Sequence, residues 1–252
     1  MTPPTDPREL LKAYADKQVT TDQVMRGLAG HKGWYVPAWF ATDRLNNQVS
    51  DHSVIFSTQF DPNLKQLVLF TDKEAAHRAD GYPLGVFSSA FTGSHIFAAL
   101  DERFDAVSVN PCSPQTESWF FKRDGFALAN LWGQVVELEN ALAVEPEAEA
   151  TLRRLAAHTG FLILVNDQNL PIDITIPNLE GRSAVAFTAP DMYEAFIAQR
   201  NETDRAKLKN LAIAGAQMFQ QLQGFDMAGL LLNFGTQPVI IRKEQFAKIC
   251  VA

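Results

Sequence analysis

Cysteine is almost missing from this chain of 252 residues: Cys112 and Cys250 are far apart and have no partners at metal-ligand spacing. Neither a disulfide framework nor a zinc site follows from them. Long hydrophobic runs are missing too. Runs such as Ala184 to Phe187 and Leu230 to Leu232 fall far short of the ~20 residues that span a bilayer, so no membrane association is expected. Met1 to Arg8 is rich in Pro and Thr and lacks the basic stretch and apolar region of a secretory signal, which points to the cytoplasm. Basic charge is in the minority. Against 29 Asp and Glu stand 22 Lys and Arg, a formal net charge of −7 whose field repels phosphate backbones. The basic pairs Lys122-Arg123, Arg153-Arg154 and Arg242-Lys243 are too short to form a nucleic-acid tract. No phosphate-binding Gly-rich loop, nucleophile elbow, metalloprotease helix or dinucleotide fingerprint occurs. No catalytic residue, metal or cofactor is therefore assigned.

What the chain does have is apolar material and self-similarity. With 46% hydrophobic residues it can fill one large core or two ordinary ones. Arg26-Gly27-Leu28-Ala29-Gly30-His31-Lys32-Gly33-Trp34 faces Arg153-Arg154-Leu155-Ala156-Ala157-His158-Thr159-Gly160-Phe161, a shared R-x-L-A-x-H-x-G-aromatic pattern. Leu69-Phe70-Thr71 then matches Ala186-Phe187-Thr188, and the stretch from Gly93 to Leu100 matches that from Gly215 to Leu222. Each leads to a Phe-Asp pair and a strand ending in Asn, Asn110 or Asn233. Lys122 to Ala127 finally matches Arg242 to Ala247. Because the blocks are collinear, the pattern predicts two tandem diverged copies of one module.

Each copy reads as helices followed by strands with further helices interspersed. Asp6-Pro7 and Thr20 with Gln23 are helix starts; Gly33 and Gly160 are placed for left-handed helix ends. Strands are expected at Trp34 to Phe40, Val54 to Ser57, Gln66 to Phe70 and Leu84 to Phe87, and at Phe161 to Val165, Ile172 to Ile176, Ala184 to Phe187 and Leu208 to Ile213. The predicted fold is α+β (mixed α/β), a mixed sheet with helices packed on it. Copy one covers residues 1–127 and copy two 145–252; the apolar stretch 128–144 is a packed connector.

These motifs resemble the SseB N-terminal-domain family, a bacterial group linked by name to enhanced serine sensitivity and distinct from the type III secretion translocon protein of the same name. The matching residues are Trp34-Tyr35-Val36-Pro37, Leu69-Phe70-Thr71-Asp72, the Gly93 to Leu100 helix and Val109-Asn110-Pro111. Copy two keeps Phe187-Thr188 and Leu232-Asn233 but has Leu164 and Phe234 at the two Pro positions. The resemblance implies a mixed α/β domain without known catalytic residues.

His31 and His158 are the first candidates for chemistry, since histidine is the natural acid, base or ligand near neutral pH. The expected role is structural: a partly charged imidazole beside the negative helix end, with Arg26 and Arg153 upstream. Asn110 and Asn233 are read as turn residues bonding their own backbone, with ligand binding as the other use. Cys112 reads as a small turn residue, with no neighbour to activate it. Asp51-His52-Ser53 has triad residue types side by side, but neighbours on a strand point to opposite faces. Trp119-Phe120-Phe121 cannot bury all three rings on one face of a strand, so at least one is expected against the other copy, the connector or a partner. The preferred function is a non-catalytic protein-binding or scaffold protein, its partner another protein or a second copy. The alternative is a small-ligand sensor or enzyme with a site between the copies that uses Arg26, His31, Arg153, His158, Asn110 and Asn233.

Overall fold

Asp6 accepts the backbone N–H groups of Arg8 and Glu9 and so starts α1 (Pro7–Ala15), with Pro7 in the first turn. Thr20 and Gln23 close a reciprocal capping box on α2 (Thr21–Gly30). Both starts fall where the sequence places them. The computed structural model describes residues 4–42, 49–54, 64–78, 86–177, 179–205 and 207–251, with the backbone alone for 37–42, 49–54 and 86–91. The strand expected at Val54 to Ser57 lies outside the described residues beyond Val54, as does Leu84 and the side-chain question at Asp51-His52-Ser53.

The chain divides into two units, Met1–Val136 and Glu137–Ala252. The first continues with β1 (Lys32–Thr42), β2 (Val49–Val54), β3 (Gln66–Leu69), α3 (Lys73–His77), β4 (Val86–Thr92), α4 (Gly93–Ala98), β5 (Ala106–Val109) and β6 (Trp119–Lys122). A single 3-10 turn, Arg123–Gly125, then leads into α5 (Phe126–Val144), within which the division falls. β1 pairs antiparallel with β2 and β4. It meets the next residue after β3 through a Tyr35–Phe70 bridge, whose two N–H···O bonds are both 2.9 Å. β3 runs parallel to β5, and β5 antiparallel to β6. On one face Phe121 packs edge-on against Phe97 and Phe126; on the other Val68 and Phe70 pack with Ala75 and Ala76 of α3.

The second unit takes the latter part of α5 and adds α6 (Glu149–Ala157), β7 (Phe161–Val165), β8 (Asp173–Ile174), β9 (Ser183–Phe187), α7 (Pro190–Ala198), α8 (Glu202–Arg205), β10 (Lys209–Ile213), α9 (Gly215–Gly224), β11 (Gly229–Leu232), β12 (Val239–Arg242) and α10 (Lys243–Cys250). Its sheet order is β10-β7-β9-β11-β12, with β8 also on β9. All pairs are antiparallel except β9 with β11. Alternation along the strands gives the sheet two covered faces. Phe161, Ile163, Ala184, Ala186, Leu230, Leu232 and Ile241 meet Leu138 and Leu142 of α5, Leu155, Phe219 and Phe246. On the opposite face Leu164, Val185 and Phe187 meet Phe196 of α7. Fully burying one such Phe contributes about 1.5–3 kcal/mol.

One close approach recurs in both units. The N–H of Gly93 donates to His31 O at 2.9 Å, and that of Gly215 to His158 O at 2.7 Å. This draws the start of α4 onto the end of α2, and the start of α9 onto the end of α6. A Cβ on Gly93 would stand 2.0 Å from Leu28 O, and one on Gly215 1.9 Å from Leu155 O. Only glycine fits there. Gly93→Ala and Gly215→Ala should each lower stability by about 1–3 kcal/mol. Gly160→Ala, with nothing within 4 Å of the new methyl, should change it by less than about 0.5 kcal/mol. Urea titration followed by circular dichroism measures the three.

Candidate functional site

The recurrent sequence blocks converge on a buried polar cluster in each unit. In the first, the Thr71 N–H donates to Asn110 Oδ1 at 2.9 Å, and Asn110 Nδ2 donates to Thr71 Oγ1 and to Glu117 O, each at 3.0 Å. In the second, the Thr188 N–H donates to Asn233 Oδ1 at 2.9 Å. The threonine carbonyl is used as well: His31 Nε2 lies 2.9 Å from Thr71 O, and His158 Nε2 2.9 Å from Thr188 O. A carbonyl only accepts, so Nε2 carries the proton in both rings. Each ring also meets the aromatic of its motif edge-on, His31 with Trp34 at 5.0 Å and His158 with Phe161 at 4.4 Å.

This geometry corrects three expectations. First, α2 and α6 do not end on Gly33 and Gly160 but on His31 and His158, whose backbone is extended and leaves the helix. Gly33 has a positive φ of 91° but sits inside β1, and Gly160 is not left-handed. The helix stops at the histidine because its carbonyl turns away to accept the glycine of the next crossing helix. Second, the imidazoles do not face their own helix ends as cations. Burial pushes both below the ordinary histidine value, against the opposing pull of the Thr71 and Thr188 carbonyls, so they fold neutral. Third, Asn110 and Asn233 do turn the chain, with φ of 49° and 54°. Their side chains, however, reach across to the end of the parallel neighbour rather than to their own backbone.

The remaining candidates lie elsewhere. The Arg26 guanidinium stands 5.2 Å over the Trp132 ring, while Arg153 is exposed and pairs with Glu149 one turn away. Cys112 is exposed on the turn after β5, its thiol pushed up by partial burial. Among the described residues no three of His, Cys, Asp and Glu come together as a metal ion needs.

The aromatic triplet divides its rings as a strand must. Phe121 points inward, and Trp119 on the same face meets Tyr14 of α1 edge-on at 5.6 Å. Phe120, on the opposite face, is 46% exposed. At the turn-side end of β5 and β6, against α1, lies an open groove of about 700 Å³, lined by Leu11, Tyr14, Val109, Pro111, Trp119 and Phe120, with Ser108, Gln115, Thr116 and Ser118 supplying its polar atoms. A second groove, about 520 Å³, runs along β12 in the second unit between Leu142 and Ala143 of α5 and Pro238 to Ile240, with Glu139 in its lining. Sequence reasoning found Trp119 and Phe120 but missed Leu11 and Tyr14 as groove walls; the apolar face of α1 was the available signal.

The fold defined by these elements is mixed α/β. No family model matches the chain, and no curated protein does. Among solved structures, Anabaena Tic22, a protein of protein transport, is similar at 20% identity and a TM-score of 0.24, over 34% of this chain and 45% of that one. The match spans less than half of that neighbour, and a likeness so slight bears on neither fold nor function. Among the described residues no helix is long and apolar enough to cross a membrane.

The histidine geometry predicts a pH signature. Folded His158 resists protonation while the unfolded chain takes up a proton below about pH 6.5, so its contribution is present above that pH and lost as pH falls. His158→Gln should cost about 1 kcal/mol at pH 7.5 through the weakened bond to Thr188 O, and the deficit should shrink at pH 5.5. Urea titrations of both proteins at the two pH values measure it; a deficit that grows on acidification contradicts the assignment.

Proposed function

We propose that this chain is a non-catalytic, SseB-like bacterial protein of the cytoplasm, built from two diverged copies of one module, which works by binding another protein. The observation that carries this reading is Phe120, a large apolar side chain 46% exposed on an edge strand beside an uncharged groove. An exposed aromatic flanked by apolar walls suits a partner surface. The histidines support the non-catalytic part: each Nε2 is committed to a threonine carbonyl and held neutral by burial. The copy relationship is supported by bonds recurring at matched residues, namely Thr71–Asn110 with Thr188–Asn233, His31–Thr71 with His158–Thr188, and Gly93–His31 with Gly215–His158.

The test is affinity capture from bacterial lysate with the native chain, Phe120→Asp and Phe234→Asp, alongside light scattering of the purified protein. The native chain and Phe234→Asp should retain one reproducible partner, or a stable self-association, that Phe120→Asp loses. A monomer that captures nothing reproducibly contradicts the proposal.

A further inference from the structure

We propose that the open edge of β6 binds an extended, uncharged peptide by strand addition, a proposal that rests on the protein-binding reading and names the chemistry of the partner. Among the described residues β6 pairs only with β5. The phase of that ladder is set by Arg123, whose N–H donates to Asp105 O at 3.1 Å, one step beyond the Ala106–Lys122 pair. Antiparallel ladders alternate, so Phe121 and Trp119 also direct their backbone groups to β5, while Phe120 directs its N–H and C=O outward; the Lys122 carbonyl is taken up by the 3-10 turn that follows. The exposed Phe120 ring thus sits on a residue whose N–H and C=O both face the open side. A second extended backbone supplies the acceptor and donor that such an edge lacks.

A groove that Phe120 shares, at the turn-side end of β5 and β6 against α1, defines the side chains that the end of an added strand meets. Leu11, Tyr14, Val109, Pro111, Trp119 and Phe120 give it apolar and aromatic walls, and none of its lining side chains is charged. A charged residue entering would lose water and gain no partner, which selects against it. Alternate residues of an added strand point one way, so the fitting sequence places aliphatic or aromatic residues at every second position with small neutral residues between.

The second unit shows why the assignment is to β6. Lys243 N–H donates to Ala228 O at 3.0 Å, giving β12 the same phase with Ile240 and Arg242 outward. There the Arg242 N–H is already taken by Gln245 Oε1 at 2.8 Å, and the groove is lined by the Glu139 carboxylate. A second copy of the chain is the less favoured occupant, since two molecules of net charge −7 repel.

The experiment uses the full chain and a fluorescent, end-blocked octapeptide in which Leu or Tyr alternates with Ser or Thr, read by anisotropy. Two further peptides carry N-methyl groups on one or the other alternate set of backbone nitrogens, and a third replaces the apolar residues with Glu. The first peptide should bind, Phe120→Ala should weaken it about tenfold and Ile240→Ala should not. One N-methyl set should abolish binding while the other is tolerated, and the Glu peptide should not bind. Absence of binding, or tolerance of both N-methyl sets, overturns strand addition, and the protein-binding reading survives if lysate capture still depends on Phe120. A concentration-dependent dimer in sedimentation velocity that Phe120→Asp dissolves also overturns it, in favour of a second copy as occupant.

Discussion

The hydrogen bond from a threonine N–H to a buried asparagine Oδ1, at the ends of two parallel strands, is the constraint on which the rest of each unit depends. Thr71 and Asn110 make it in one unit, Thr188 and Asn233 in the other. Beyond the last ladder bond, two parallel strands would leave that N–H buried and unpaired, at a cost of about 1–3 kcal/mol. Asn supplies the acceptor and also tolerates the left-handed turn that follows. The threonine carbonyl then accepts from histidine Nε2, the histidine carbonyl accepts from a glycine N–H, and that glycine lets two helices cross within a methyl's width. Strand ends, helix end and helix crossing are thus joined by one continuous chain of bonds. This explains the spacing in R-x-L-A-x-H-x-G-aromatic: Leu supplies core and the crossing carbonyl, His the relay, and the aromatic the surface on which the ring rests.

The units differ in what they attach to that relay. In the first, Asp72 follows the threonine, caps α3 through the Ala75 N–H and binds Arg8 of α1. Burial pushes the Asp72 carboxyl up, but its bonds from Ala75, Arg8 and Thr71 outweigh this and hold it below the usual range. In the second, Ala189 takes that place and caps nothing, while the Thr188 hydroxyl reaches Glu139 of α5 at 2.7 Å. Each unit therefore ties a helix to the same strand end, α1 through an arginine to a carboxylate and α5 through a carboxylate to a hydroxyl. The same relay can thus hold helices of unrelated sequence.

Much of the fold was legible in the residues because its signals are local. The Asp6 and Thr20 caps and the Phe161 to Val165 strand stand where capping chemistry and periodicity place them, the strand expected at Gln66 to Phe70 ends one residue earlier at Leu69, and helices expected from Ser94 and Ala216 begin one residue earlier at Gly93 and Gly215. The histidine roles were not legible, because the partners of His31 and His158 are carbonyls 40 and 30 residues away. Any backbone carbonyl looks alike in sequence. Local reasoning could offer the rings only their own helix ends, and burial, which makes them neutral, is a tertiary property. The asparagines failed in part for the same reason: the turn is local and was read, whereas the bond across the strands is not. The groove was half legible, since Trp119 and Phe120 announce themselves while Leu11 and Tyr14 look like ordinary core positions on an amphipathic helix.

Repetition and difference then point in opposite directions. Residues that recur, the histidine, threonine, asparagine and crossing glycine, make the same bonds within the fold at matched places, so their repetition reports on scaffold. The edge strands recur as well, in the sequence order Trp119-Phe120-Phe121-Lys122 against Val239-Ile240-Ile241-Arg242, and both expose the middle apolar residue, 46% for Phe120 and 42% for Ile240. What surrounds that residue does not recur. One edge has aromatic neighbours, neutral walls and the Phe120 backbone facing outward, with the Lys122 carbonyl turned into the 3-10 turn; the other has a carboxylate in its groove and an N–H closed by Gln245. An exposed sheet edge is a liability unless it is covered or closed. The second unit closes part of its own edge through Gln245, whereas among the described residues nothing pairs with the outer side of β6, where Phe120 stands exposed at a groove without charged lining; the strand-addition proposal rests on that difference.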